Sequence, residues 1–158
     1  MNQMLSHDAD TLEIIAFMLH EQQFCVRTTS IREIRGWAPV TPLPHTPAEV
    51  MGVMNLRGTV IPIVDLAVKL GMASAETSER SAIVVTVVKD KTIGLMVDRV
   101  SDILTIRGDV LQQVPAAAGI SANGYAEGIF ARDKDMICFL NLDVIFATGE
   151  PDEWEQAA

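Results

Sequence analysis

Aromatic side chains are scarce in this chain. Phe, Trp and Tyr make up 5% of its 158 residues, although apolar residues as a whole reach 49%. Packing therefore falls to Val, Ile, Leu, Ala and Met. Cysteine is rarer still: Cys25 and Cys138 each lie inside an apolar, strand-like segment. They read as reduced core residues, with a disulfide or thiol chemistry as the alternative. Basic residues are outnumbered, 12 Lys and Arg against 21 Asp and Glu, for a formal charge of −9. That balance argues against nucleic acid or an anionic membrane as the main partner, because both demand a basic face. Long apolar runs are missing too. The mean hydropathy of +0.25 raises the question of a membrane span, yet the longest run, AIVVTVV at 82–88, falls far short of the ~18–20 residues a spanning helix needs. The first residues, MNQMLSHDAD, lack the basic and apolar pattern of a signal peptide. The expected location is the cytoplasm, with no direct membrane insertion.

Catalytic patterns are also lacking. There is no GxSxG elbow, no GxxxxGK[ST] phosphate loop, no GxGxxG and no CxxC. His7, His20 and His45 are scattered without ligand spacing, and HDAD at 7–10 stands in a polar terminus with no partner cluster. No enzyme, cofactor or metal site is expected.

What the chain does hold is a series of short apolar segments, rich in β-branched residues and punctuated by turn residues. The segments 11–20 and 23–27 bracket Glu21-Gln22, and 81–89 and 92–100 bracket Asp90-Lys91. Segments 52–57 and 59–66 flank Gly58, and 126–132 and 135–142 flank Asp133-Lys134. Each pair reads as a hairpin. Short helical turns are expected at 46–50, 66–70 and 142–147, and PAAAGISANGY at 115–125 reads as a loop.

The two halves of the chain resemble each other. A shift of 69 positions carries 15–37 onto 84–106, placing Phe24 on Ile93, Ile31 on Val100, Glu33 on Asp102 and Ile34 on Ile103. A shift of 76 carries 52–70 onto 128–146, placing Gly52 on Gly128, Ile61 on Ile137 and Leu70 on Phe146. Two blocks repeating in the same order predict a mainly β protein of two related barrels, about five strands each, with short helical turns. Barrel closure would remove the apolar sheet edges. The expected layout is a tail over 1–10, a body over 11–147 divided into barrels at about 15–80 and 81–147, and an acidic tail over 148–158.

The repeat also sorts the candidate chemistry. Asp65, the most suggestive lone carboxylate, is replaced by Asn141 in the second copy. That exchange preserves capping of a helical turn and would destroy acid–base chemistry, so capping is the better reading. Asp98 and Asp102 read as solvated or turn-capping acids, with a partner contact as the alternative. The eight methionines read as core filler, although Met51 and Met54 stand close to Arg57. Arg57-Gly58 aligns with Asp133-Lys134, so the position is a hairpin tip in both copies. A tip requires polarity and a permissive backbone, which Gly58 supplies. It does not require arginine, and Arg57 is left free to serve a surface.

The stretches EIRGW, TPAEVMGVMNLRGTVIPIVDL and GLMVDRVSDIL resemble the CheW family of bacterial chemotaxis coupling proteins, with the pattern GxxNLRGxxxPxxDL matching from Gly52 to Leu66. Similarity runs from about Leu12 to Phe146. The resemblance implies two intertwined, SH3-like five-stranded barrels sharing a core. It also implies a stand-alone adaptor, monomeric by itself and part of a receptor array, that joins the cytoplasmic tip of a methyl-accepting chemoreceptor to the regulatory domain of the histidine kinase CheA. Arg57 matches the family's arginine associated with receptor contact. Ile31, Glu33 and Ile34 match the apolar-x-Glu-Ile step near the groove between the barrels, and Val100 and Ile103 match its counterpart. Core packing alone accounts equally for the four aliphatic residues. Thr28 stands where many relatives carry an aliphatic residue, and 109–119 departs from the family pattern, so no kinase-binding residues are assigned. A small-molecule-binding barrel, or a scaffold for another kinase pathway, is the alternative.

Overall fold

The computed structural model describes residues 11–74, 76–115 and 124–147. The tails at 1–10 and 148–158 and most of the 115–125 loop lie outside the described residues. Ten strands make up the body: β1 (Thr11–Leu19), β2 (Gln22–Arg27), β3 (Ile31–Gly36), β4 (Val50–Leu56), β5 (Thr59–Asp65), β6 (Ala82–Val88), β7 (Lys91–Val97), β8 (Arg99–Arg107), β9 (Ala126–Arg132) and β10 (Asp135–Leu140). Two helical turns follow β5 and β10, α1 (Leu66–Lys69) and α2 (Leu142–Ile145). Around 46–50 there is a turn stabilised by Val50 N–H donating to the Pro47 carbonyl, and β4 begins at Val50. The helical turn expected there does not form, because Val50 is already committed to pairing with Val64.

The strands form two five-stranded sheets, in the orders β8-β1-β2-β10-β9 and β3-β6-β7-β5-β4. The shifts of 69 and 76 carry β1, β2, β3, β4 and β5 onto β6, β7, β8, β9 and β10, and α1 onto α2. Each sheet therefore combines two strands of one copy with three of the other. The chain changes sheet between β2 and β3 through the 3-10 turn Thr28–Ser30, and between β7 and β8 through Asp98. The division near residue 80 follows the sequence repeat but is not a boundary between sheets. The segment Ile31–Asp65 belongs to one barrel together with β6 and β7, while β1 and β2 belong to the other.

The burial pattern explains why the central strands are almost continuously apolar. Ile14 and Ala16 face the interior of one barrel with Cys25, Phe130, Ile137 and Phe139. Ile83 and Val85 face the other barrel's interior with Ile61, Ile63 and Met96. The alternate residues of the same strands, among them Phe17, Leu19, Phe24, Val84, Val88, Ile93 and Leu95, meet between the barrels in one shared core. Strands covered on both faces lose polar alternation. Among the described residues the shared core holds eighteen buried side chains against six and five in the interiors. The interface between barrels is thus the larger source of apolar burial.

Each barrel is closed at a seam between its two edge strands. Beyond β3, Thr41 exchanges two backbone hydrogen bonds with Val53 of β4, at 2.9 and 2.8 Å. Beyond β8, Gln112 does the same with Ile129 of β9, at 2.8 and 2.9 Å. Both closures lie beside the glycine that repeats in the sequence. A Cβ on Gly52 would stand 2.2 Å from the Thr41 carbonyl oxygen, and one on Gly128 would stand 2.9 Å from that of Gln112. The repeated glycine is where the closing strand comes closest.

Candidate functional site

The hairpin tip between β4 and β5 holds Arg57 at φ +51° and Gly58 at φ +90°. The Asn55 side-chain oxygen accepts the Gly58 N–H at 2.8 Å. Left-handed backbone favours Gly, Asn or Asp and penalises a long side chain by roughly 1–2 kcal/mol. Arginine is therefore present against the local preference of the turn, and its side chain accounts for it. Both terminal nitrogens of Arg57 bond Oε2 of Glu33 on β3, one of them at 2.8 Å. Arg35 approaches the other Glu33 oxygen at 3.7 Å. Because β3 and β4 are the two edges of their sheet, this ion pair spans the barrel seam. Glu33 and Arg57, both expected to contact a partner, hold each other.

The second barrel has its own version. Arg132, at the end of β9, donates to Oδ2 of Asp102 on β8 at 2.8 Å. Asp102 is the repeat equivalent of Glu33, while the arginine has moved by one position along its hairpin. Asp102 is thus a seam residue, neither merely solvated nor a turn cap. The matching of Glu33 with Asp102 was the sequence signal for both clasps, but nothing in a linear alignment placed an arginine opposite either acid.

Two bulges aim these side chains. The register slips between Ile31 and Glu33 against β6, and between Ala16 and Phe17 where β1 meets Val100 and Asp102 of β8. Arg32 and Ser101 are the extra residues, again repeat equivalents. An inserted residue reverses the alternation, so Ile31 and Ile34 share one face, as do Val100 and Ile103. Glu33 and Asp102 are turned toward the barrel interiors, opposite Val85 and Ala16. Ile31 and Val100 pack against the shared core. Ile34 and Ile103 remain open, at 39% and 62% exposure. Ile34 and Val100 border one cleft of about 420 Å³ where β3 approaches the start of β8. Arg57 and Glu33 border a different opening, floored by Ile61, on the seam side. Ile103 is on neither. The six expected site residues therefore do not form one patch: Ile34 and Val100 share a cleft, Glu33 and Arg57 share the seam opening, and Ile103 borders neither.

The remaining candidates are structural. Asp65 is buried, accepts the Val68 N–H at the start of α1 and receives the Ser74 hydroxyl at 3.0 Å. Asn141 accepts the Val144 N–H at the start of α2 in the same way. Asp98 accepts the His20 backbone N–H at 2.6 Å, fixing the β1–β2 hairpin, whose tip carries His20 at φ +57°. Thr28 donates its hydroxyl to the Glu13 carboxylate at 3.0 Å. Cys25 and Cys138 are free thiols on the neighbouring parallel strands β2 and β10, one facing a barrel interior and the other the shared core. Burial pushes the Cys138 thiol up to about 11. Burial also pushes Cys25 up, followed by the nearness of Cys138 and Glu127. Thiols held protonated in this way are poor nucleophiles. Among the described residues no cluster of three or more His, Cys, Asp or Glu side chains could hold a metal ion, and no helix is long and apolar enough to cross a membrane.

Comparison with known proteins gives these features a family. A family model for the CheW-like domain matches residues 13–150. The chain is 48% identical over 138 residues to the chemotaxis protein CheW of Rhizobium meliloti, covering 87% of this chain and 89% of that protein. It is 32% identical over 133 residues to the chemotaxis protein CheW of Thermotoga maritima, covering 84% and 86%. Among solved structures, the scaffolding protein TtCheW from Thermoanaerobacter tengcongensis superposes with a TM-score of 0.79 at 28% identity, covering 85% of this chain and 87% of that one. With two interlocked, SH3-like five-stranded barrels, a doubled seam clasp and a family match over most of its length, the chain belongs to the CheW-like family.

Proposed function

We propose that this chain is a non-enzymatic chemotaxis adaptor, coupling the cytoplasmic tip of a methyl-accepting chemoreceptor to the regulatory domain of a CheA-type histidine kinase. It would work in the cytoplasm, recruited to receptor arrays at the membrane. The observation that carries the receptor reading is the pairing of exposed Ile34 with Val100 in an open cleft, on a strand whose next acid is clasped to Arg57. A receptor tip is a helical hairpin, and an aliphatic ridge can lie in such a cleft. Val100 would form its base and Ile34 its wall, with Ile31 packed against the shared core on the same face of β3 and Ile103 a second apolar contact on the repeat-related face. Glu33 occupies two donors of Arg57, and a guanidinium has five, so the remaining N–H groups are available to carbonyls or a carboxylate at the rim. Individual contacts of this size are weak and gain strength from the multivalency of an array. The small-molecule alternative, with its site between the two barrels, gains nothing from the structure: among the described residues that space is occupied by the shared apolar core.

Arg57 provides the test. Its side chain is 67% exposed, and an ion pair in water contributes about 0–1 kcal/mol, so Arg57→Ala is expected to leave the melting temperature nearly unchanged. Receptor-fragment binding should weaken by roughly 1.5–3 kcal/mol, the scale of a charge-assisted hydrogen bond. Arg57→Glu should weaken it further, since the reversed charge repels a carboxylate or carbonyl on the partner. Affinity for the kinase regulatory domain should change less. Calorimetric titration of the three proteins against both partners decides the matter; unchanged receptor affinity in folded Arg57→Glu would leave the arginine as a seam clasp only.

A further inference from the structure

The cleft containing Ile34 and Val100 is ringed by arginine. Arg35, Arg80 and Arg99 border it against one carboxylate, Glu79. In a chain of net charge −9, three guanidinium groups around one apolar floor are a local reversal of sign. Arg35 is partly neutralised by Glu33 at 3.7 Å. Among the described residues neither Arg80 nor Arg99 has an ion-pair partner. Their backbones are nevertheless fixed. Arg80 donates its N–H to the Ser78 hydroxyl oxygen and precedes the buried Ser81 and Ala82 that lead into β6. Arg99 opens β8 and pairs with Met18 of β1. Arg80, Arg99 and Glu79 also line the neighbouring cleft, where Glu76 and Asp98 stand, but those two acids do not line this one.

An apolar floor rimmed by cations on fixed backbones fits a helix whose apolar ridge is flanked by carboxylates. A neutral or basic helix would cover Arg80 and Arg99 without pairing them, at a desolvation cost. We propose that this cleft selects its partner by charge: Arg80 and Arg99 pair with acidic side chains beside the apolar ridge of the docking helix. The inference rests on the receptor reading above and adds to it a determinant of which tips are accepted.

The test uses the full chain and a soluble fragment carrying the cytoplasmic tip of a chemoreceptor from the same genome, titrated at low and moderate salt. Rim charges act mainly on encounter and are screened within a Debye length of about 10 Å at 0.1 M salt. Wild-type affinity should therefore fall roughly tenfold or more as salt is raised, an order-of-magnitude expectation for two or three screened pairs. Arg80→Glu/Arg99→Glu should bind at least about tenfold more weakly at low salt, with a salt dependence of opposite sign, because like charges then face each other and salt screens the repulsion. Arg80→Gln/Arg99→Gln serves if the reversal impairs folding, and wild type against a fragment with its flanking acids changed to amides should show the same loss. Ile34→Ser separates the two claims. If Ile34→Ser weakens binding while the double arginine variant keeps wild-type affinity and salt slope, the cleft stands and charge selection is overturned. If Ile34→Ser binds as wild type, the receptor placement fails and charge selection fails with it. Loss of kinase-domain affinity alone on arginine reversal would likewise overturn the proposal.

Discussion

Gly52→Ala is expected to lower the melting temperature by roughly 10 °C, more than any single exposed substitution should. The reason is backbone against backbone. The new Cβ would stand 2.2 Å from the Thr41 carbonyl oxygen and 2.6 Å from its carbon, at a φ of +149° that side chains rarely adopt. No rotamer change can relieve that contact. The closing segment would have to move away, breaking both Thr41–Val53 hydrogen bonds and opening the seam that Glu33 and Arg57 span. Two lost backbone bonds and the strain together amount to roughly 3–5 kcal/mol, and a domain of this size loses about 2–4 °C per kcal/mol. Gly128→Ala should be milder, about 1–3 kcal/mol, because its nearest atom is 2.9 Å away. Gly36→Ala, with nothing within 4 Å, is the control and should melt close to wild type. Thermal unfolding of the three variants gives the ranking, and a Gly52→Ala protein as stable as Gly36→Ala would refute the seam argument.

Dividing the chain should have a larger effect still. A fragment ending at residue 80 contains β1 to β5, a complete copy of the repeat, and is expected not to fold alone. In the whole protein β1 lies between β8 and β2, while β3 and β5 are held apart by β6 and β7. The fragment would retain two hairpins and a lone strand, with half of the shared core missing. Two-stranded hairpins are marginal in water. Circular dichroism of the fragment should therefore show a largely unfolded chain, and mixing it with the fragment from residue 81 onward should restore a β spectrum. A fragment that ended at residue 80 and unfolded cooperatively on its own would mean that each repeat is a barrel, contrary to the interlocked sheets.

The same interlocking marks the limit of what the sequence reveals. The strands were legible because apolar runs and turn residues alternate so regularly, and the pairing of each hairpin followed. Two turns slipped by one position. The tips are His20-Glu21 and Lys89-Asp90 rather than Glu21-Gln22 and Asp90-Lys91, because His20, Lys89 and Asp90 take positive φ without glycine to announce it. The repeat was legible, but a repeat does not say which copy pairs with which. The parallel contacts of β2 with β10 and of β5 with β7 that settle the question are non-local. Gly58 serves the turn, as its place between two apolar segments implies, whereas Arg57 is engaged by Glu33. The clasp itself was hidden, since a separation of 24 positions from Glu33 to Arg57 carries no periodic signal that would bring them together. The bulges at Arg32 and Ser101 were equally invisible, and they decide that Ile34 shares a face with Ile31.

The proposed adaptor role requires that one small body hold a receptor and a kinase at once. Competition measures this directly. The chain is saturated with the kinase regulatory domain, and the receptor-tip fragment is then titrated against it, with complex size followed by sedimentation. A ternary complex is expected, with receptor affinity little changed by bound kinase and no receptor–kinase association without the chain. Displacement of one partner by the other would contradict it, because a surface shared by both cannot couple them.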